Sequence, residues 1–293
     1  MIRYLILFVF FNLTMPGLIG ADAARVAVTV KPIHSLVSGV MKGVGEPALI
    51  MSGSASPHHY SLRPSERRTL AEAELIFWVG PELETFMPRI LESLDAPARA
   101  VALIASPGLV HLPARHSHDH SASASRIDPH VWLSAKNAHV MVDVIADKLI
   151  ELDKKNAGSF ERNRLRLHSR ISDTDDRIRR ILSGKNAAFL SYHDAYQYFE
   201  KSYGLNHAGF VSSGDEISPS ARYVRELRNT IRDQQLHCLF YEAPGRPALV
   251  DTLTAGFDVT ALELDAIGLR LHAGENAWFE IMRNLAETYD SCL

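Results

Sequence analysis

Leu75-Ile76-Phe77-Trp78-Val79-Gly80 is a continuous apolar run closed by a glycine, the pattern of a strand buried on both faces. Such a strand needs helices above and below it, and the flanking chain supplies them. Upstream, the β-branched stretch Ala24–Val30 reads as a first strand. Pro32 to Val44 carries Ile33, Leu36, Val37, Val40 and Met41 at helical spacing, and Ala48–Met51 reads as a second short strand. Arg63-Pro64-Ser65-Glu66 opens a helix to about Glu74, with Pro64 in a first turn where its missing N–H does no harm. Downstream come a helix over about Leu83–Leu94 and a strand over Ala98–Ile104. This alternation predicts an α/β fold whose parallel sheet carries helices on both faces.

Ser134 suits the N-cap of a helix from Ala135 to about Leu152, with Val140, Val144, Ile145, Leu149 and Leu152 on its apolar face. After a break at Asn156-Ala157-Gly158-Ser159, a highly charged helical stretch runs to Leu182, carrying Phe160, Leu165, Leu167, Ile171, Ile178 and Ile181. A long polar-faced helix at the midpoint of the chain reads as a rigid connector. The pattern then restarts. Strands are expected at Ala187–Tyr192, His207–Val211, Cys238–Glu242 and Val259–Leu264, with helices at Ala195–Tyr203, Ser218–Gln234, Arg246–Thr254 and Glu275–Tyr289. A length of 293 residues fits two domains, and a hydrophobic fraction of 46% is enough for two sizeable cores. The net charge of −3 gives no reason to expect nucleic acid or an anionic membrane as partner.

The first residues read as a secretory signal rather than as part of the fold. Arg3 precedes a short apolar run from Tyr4 to Phe11, broken at Asn12 and again at Pro16-Gly17, and Ala21-Asp22-Ala23 is an A-x-A-like end. Cleavage is expected near Ala23, leaving an exported, soluble chain. Export makes a disulfide between Cys238 and Cys292 plausible.

Three histidines sit after apolar stretches or on stiff turns: His58, His130 and His193. His130 follows Asp128-Pro129, where the proline fixes its own φ and holds Asp128 extended. Asp265 ends the last strand. The separations His58 to His130 and His193 to Asp265 are both 72 residues (130 − 58 and 265 − 193), so each half offers two ligands, each where a strand is expected to hand over to a loop. Ligands of open parallel sheets bind at the carboxyl ends of the strands, and two facing lobes would bring all four side chains to one cleft. Taken singly, each histidine is more often structural than metal-binding. Three imidazoles and a carboxylate together form a tetrahedral set suited to Zn²⁺, favoured here over the oxygen-preferring Mn²⁺ or Mg²⁺. A tract with His111, His116, His118 and His120 among serines and alanines has the composition of a loose metal-collecting loop. Among the other residues, His59 should point away from the ion, His34 reads as a surface residue at a helix start rather than a cleft-lining one, and Asp194 could orient a ligand or cap its helix, capping being the commoner role. Glu242 ends a strand of the second lobe and could face the cleft, and Glu216 lies in a loop of that lobe, with surface exposure the default for both; His139 and His168 lack context.

These residues resemble a known family. Ser56-Pro57-His58-His59-Tyr60-Ser61-Leu62-Arg63-Pro64-Ser65-Glu66, followed by Leu75-Ile76-Phe77-Trp78-Val79-Gly80-Pro81-Glu82-Leu83-Glu84, is similar to the first ligand region of the periplasmic zinc-binding proteins of ABC importers, the ZnuA-like members of the TroA-like (cluster A-I) solute-binding proteins. His130-Val131-Trp132-Leu133-Ser134 resembles the second ligand motif, Tyr192-His193-Asp194-Ala195-Tyr196-Gln197-Tyr198-Phe199 the third, and Leu264-Asp265-Ala266-Ile267-Gly268 the C-terminal acidic motif. Cys238 and Cys292 sit like the cysteine pair of some zinc members. Pro57 stands where some zinc members carry a glutamate, which leaves Asp265 or a water as fourth ligand.

The resemblance implies two Rossmann-like lobes with mostly parallel sheets, bridged by one long rigid helix, with the metal between the lobes. The implied organisation is a signal over 1–23, an N-terminal metal-binding lobe over 24–156, a connecting helix over 157–182 and a C-terminal metal-binding lobe over 183–293. The implied function is capture of Zn²⁺ in the periplasm and delivery to a membrane permease with its ATPase, by a monomer that is no enzyme. A Mn²⁺ or Fe²⁺ carrier of the same family and a secreted zinc hydrolase are the alternatives. The hydrolase reading needs a general base beside the metal, and no H-E-x-x-H pair is present.

Overall fold

The computed structural model describes residues 24–53, 56–115, 127–212, 219–245 and 247–293. The segment 1–23 expected to be a signal, His116, His118, His120 and Glu216 lie outside the described residues.

Two four-stranded sheets, all parallel, form the frame. In the first, β1 (Val26–Val28) and β3 (Leu75–Trp78) are central, flanked by β2 (Ala48–Leu49) and β4 (Ala100–Ala102), in the order β2-β1-β3-β4. The second repeats that order with β5 (Phe189–His193), β6 (His207–Ser212), β7 (Cys238–Glu242) and β8 (Thr260–Leu264), as β6-β5-β7-β8. β3 is buried along its whole length, as its unbroken apolar run requires.

Helices fill the crossovers: α1 (Lys31–Met41), α2 (Pro64–Glu72), α3 (Met87–Ser93), α4 (Ala135–Leu152), α6 (Gln197–Tyr203), α7 (Ala221–Asp233) and α8 (Ala248–Thr254). α5 (Ala157–Ile181) joins the lobes and α9 (Ala277–Asp290) closes the chain. α4 has the bounds read from the sequence, and the Ser134 hydroxyl caps it by accepting from the Asn137 N–H at 3.3 Å.

Two separate cores are not what forms. One apolar cluster runs from the first sheet through α1, α4, α5 and α9 to Phe189, Phe240 and Tyr289 of the second lobe. A smaller cluster, with Leu190, Leu227, Leu239 and Val250, covers the other face of the second sheet. The connector is therefore a core helix on one side: Phe160, Leu167, Ile171 and Ile178 are buried, while Leu165 turns outward and is 62% exposed. Gly39 permits its close approach to α1, because a Cβ there would meet Leu167 Cδ2 at 2.8 Å.

Polar ties add to this packing. Trp132 Nε1 donates to the Ala266 carbonyl and Trp278 Nε1 to the Trp132 carbonyl, both at 2.8 Å, and the Trp278 N–H donates to Ser35 Oγ at 3.0 Å. Together these link the start of α9, the turn before α4 and the loop after β8.

Cys238 at the start of β7 and Cys292 at the chain end form a disulfide. It closes a loop of 54 residues, for which chain entropy gives about 4 kcal/mol as an upper figure. Replacing both cysteines by serine is expected to lower unfolding stability by up to that amount. Urea unfolding of the variant against the oxidised protein measures it, and an unchanged midpoint would mean that the pairing constrains little in the unfolded chain.

Candidate metal centre

Each histidine is presented by a different local device. His58 lies in the short 3-10 turn Pro57–His59 after β2. Ser56 Oγ accepts from the His58 N–H at 3.4 Å, and Thr85 Oγ1 donates to the His58 carbonyl at 3.2 Å. His130 precedes the 3-10 turn Val131–Leu133, whose three side chains are fully buried, and its ring stands edge-on to Trp132 at 5.4 Å. His193 is the last residue of β5. Of the four residues singled out by position, only His193 and Asp265 directly terminate strands. The equal separation of 72 residues carries no structural equivalence, because His58 follows the second strand of its sheet whereas His193 ends the first of its own.

The three rings converge. Their centroids are 5.6 Å (His58–His130), 5.8 Å (His58–His193) and 5.4 Å (His130–His193) apart. One ligand atom from each lies within 4.8 Å of the other two, and they are the only such group of three among the described residues. His130 and His193 are buried, at 4% and 6% exposure, so each needs a partner for its second nitrogen. Asp128 Oδ1 supplies it for His130, accepting from the backbone N–H at 3.0 Å and from Nδ1 at 2.8 Å. Glu242 Oε2 at the end of β7 supplies it for His193, lying 2.6 Å from Nδ1. A carboxylate on Nδ1 fixes the proton there, leaves the Nε2 lone pair facing the cavity and raises its basicity.

The rings open into a cavity of about 240 Å³ that Glu242 and Asp265 also line. Asp265 shares this wall but stands outside the convergent group of ligand atoms. Burial raises its carboxyl pKa, opposed by the backbone N–H groups of Gly268, Ile267, Leu269 and Arg270. Its neighbourhood is thus a turn built around a carboxylate at the edge of the site.

Three expectations need correction. Glu242 is no idle surface group but the orienting partner of His193. Asp194 caps no helix; it takes a two-pronged ion pair from Arg115, Nε to Oδ2 at 3.1 Å and Nη2 to Oδ1 at 2.5 Å. His34 is buried, with Nε2 3.0 Å from the Pro47 carbonyl. His139 and His168 face each other across α4 and α5, with Nδ1 atoms 2.5 Å apart. His59 is exposed beside His58. Of the loop histidines, only His111 is described, and its Nε2 sits 2.7 Å from the Ile104 carbonyl.

Arg115 also pairs with Glu200 at 2.7 Å and lies 2.7 Å from His207 Nδ1. Burial pushes Glu200 up to about 7 against the pull of Arg115, and burial together with that guanidinium pushes His207 down to about 3. Pro113 bridges to Ile127, and Tyr198 and Gln197 of α6 tie down Leu112, Asp128 and Pro113. The stem of the histidine-containing loop is thus fastened to the second lobe beside two of the three rings. An excision of 113–124 would remove Arg115 and its ion pairs with Asp194 and Glu200; a clean excision spares it.

Comparison with known proteins adds the following. A family model described as "Zinc-uptake complex component A periplasmic" (ZnuA) matches residues 26–292. The chain is 32% identical over 311 residues to the high-affinity zinc uptake system protein ZnuA of Brucella abortus (strain 2308), covering 94% of this chain and 93% of that protein. It is 30% identical over 308 residues to the protein of the same description from Paracoccus denitrificans (strain Pd 1222), with 93% of each covered. Among solved structures, a crystal structure of ZnuA superposes with a TM-score of 0.80 at 20% identity, covering 92% of this chain and 99% of that one. Pseudomonas aeruginosa FpvC in complex with Mn²⁺ gives 0.81 at 20% identity, covering 92% and 98%. The periplasmic zinc-binding protein TroA of Treponema pallidum gives 0.77 at 23% identity, covering 92% and 99%. At these identities the structural likenesses establish the fold, two α/β lobes with a connecting helix, and not the metal.

Proposed function

The chain belongs to the ZnuA family of periplasmic zinc-uptake components, and from that premise we propose that it captures Zn²⁺ outside the cytoplasm and hands it to an ABC-type permease driven by an ATPase. The observation that carries this reading is the convergence of His58, His130 and His193, two of them with carboxylates on Nδ1. Three imidazoles favour Zn²⁺ over Mn²⁺, which prefers oxygen. Asp265 or a water is the fourth ligand in this reading. The N-terminal lobe is taken as 24–156, the connector as 157–182 and the C-terminal lobe as 183–293, after an export signal over 1–23. The described residues contain no helix long and apolar enough to cross a membrane. A single copy holds all the proposed ligands, so a monomer suffices.

Delivery requires that ligand geometry fail on demand. With α5 and α9 packed into one shared core, a wide hinge would tear apolar contacts, so small shear between the lobes and movement of the covering loops is the expected route. The proposed activity is binding and release, with no reaction; a hydrolase would need an open metal position and a base aimed at its water, whereas Asp128 and Glu242 are committed to imidazoles.

Metal analysis and competition titration of the metal-stripped protein test this proposal. One tight Zn²⁺ equivalent is expected, not displaced by equimolar Mn²⁺. Equal retention of Mn²⁺ would overturn the metal assignment, and turnover of test esters or peptides by the zinc-loaded chain would favour the hydrolase.

A further inference from the structure

Lys31 is the first residue of α1, in the N-terminal lobe, and its side chain is almost wholly buried, at 8% exposure. It crosses to the loop after β8. Nζ donates to the carbonyls of Gly268, Leu269 (3.3 Å) and Leu271 (2.8 Å). An ammonium has three N–H donors, and here each has a carbonyl.

The same loop faces Asp265 from its other side. The Ile267 N–H donates to Asp265 Oδ1 at 3.2 Å, and the amides of Gly268, Leu269 and Arg270 also act on the carboxylate. The Leu269 N–H belongs to the peptide unit whose carbonyl is Gly268's, and the Arg270 N–H to the unit whose carbonyl is Leu269's. Two peptide units therefore lie between the ammonium and the carboxylate: their oxygens accept from Lys31 Nζ, and their N–H groups act on Asp265, to which the Ile267 N–H alone closes a hydrogen bond. A peptide dipole of about 3.5 D in that orientation is favourable at both ends. Asp265 is also the charge that acts on Lys31 to oppose the cost of its burial.

We propose that Lys31 is a positioning residue of the metal centre: through the dipoles of the 268–271 loop it holds the Asp265 carboxylate at the cavity wall. The inference rests on the reading that the cleft binds a divalent ion with Asp265 facing it. Lys31 touches no ligand histidine in this account. Its influence on the ion runs through Asp265, and that route makes it testable.

The test is a double-mutant cycle on Zn²⁺ affinity, read by competition with a chromogenic chelator, using the full mature chain. Lys31→Met, which keeps length and removes charge and donors, is expected to weaken Zn²⁺ binding by roughly ten- to hundredfold, the range for outer-sphere partners of metal ligands. Lys31→Arg is expected to recover most of that loss. In an Asp265→Ala background, Lys31→Met should cost less than about twofold, because the side chain it positions is gone. The same fold-loss in both backgrounds, or no loss in the parent, overturns the proposal. Urea unfolding of the metal-free proteins checks that the variants fold; should Lys31→Met not fold, Lys31→Gln carries the same comparison. The cleft reading is tested separately by parent binding and its loss on His58→Ala, so it can stand while this inference falls.

Discussion

His193→Ala is expected to leave a protein that folds but no longer retains Zn²⁺ against a chelator that the parent outcompetes. The affinity should fall by more than about a thousandfold, beyond the roughly ten- to hundredfold typical of losing an outer partner. Two effects add. One of three convergent nitrogen donors disappears, and Glu242, 2.6 Å from Nδ1 in the parent, loses the imidazole it orients. A two-histidine remainder is a common surface arrangement with no particular hold on a borderline ion. His58→Ala should behave alike, although His58 comes from a turn in the other lobe, because the ion needs donors from both sides of the cleft. Glu242→Gln separates the two effects: it keeps all three imidazoles but weakens the fixed tautomer of His193, so its loss should stay within the outer-partner range. Excision of 116–126, which spares Arg115 and the Pro113–Ile127 bridge, should leave the tight site nearly unchanged. Full retention of Zn²⁺ by His193→Ala would place the ion elsewhere.

What the sequence discloses follows how local each signal is. α4 is legible to the residue because a serine cap and an apolar period lie within one stretch of chain. β7 is legible because Cys238–Glu242 is compact and apolar until its end. The strand expected over Ala98–Ile104 shrinks to Ala100–Ala102, because Pro97 opens a 3-10 turn and a second follows at Leu103. The helix expected from Leu83 begins only at Met87, since Glu84 is drawn inward. Leu165 fits the apolar spacing of α5 yet points to water, for nothing local reveals which neighbours flank a connector. The three histidines are readable by residue type and setting. Glu242 is not, because its partner lies 49 residues away and a carboxylate at a strand end looks the same whether it meets water or imidazole. Asp128 carried a usable signal: two residues before His130, its carboxylate reaches both the backbone N–H and Nδ1. The 72-residue coincidence shows the converse, a regular spacing that leads to the right residues although the elements bearing them are not equivalent.

Glu84→Ala is expected to cost about 5 kcal/mol of folding stability. Glu84 is fully buried beneath the carboxyl ends of β1 and β3. Oε1 accepts from Thr29 Oγ1 at 2.5 Å and from the Val79 N–H at 3.1 Å, and Oε2 from the Gly80 N–H at 2.9 Å. Alanine strands three buried donors, at roughly 1–3 kcal/mol each. The pH response of the parent carries a second signature. Burial pushes the Glu84 carboxyl up to about 7, against the hydrogen bonds from Thr29, Gly80 and Val79. Between an unfolded value of about 4.5 and that folded value, the native state holds a proton the unfolded chain has released. Stability therefore falls as pH rises through this window, by up to about 3 kcal/mol from this group. Glu200, also pushed up to about 7, adds a slope of the same sign, so the contribution of Glu84 is read as the difference between the parent and Glu84→Gln. Urea unfolding of the metal-free proteins between pH 4.5 and 8 measures it, without the linkage that bound metal introduces. Identical slopes would mean that Glu84 is ionised throughout, its charge carried by the strand-end amides alone. In either case the strand ends that Glu84 ties together are the edge from which Thr85 reaches the His58 carbonyl, so part of its cost should reappear as weaker metal binding in the protein that remains folded.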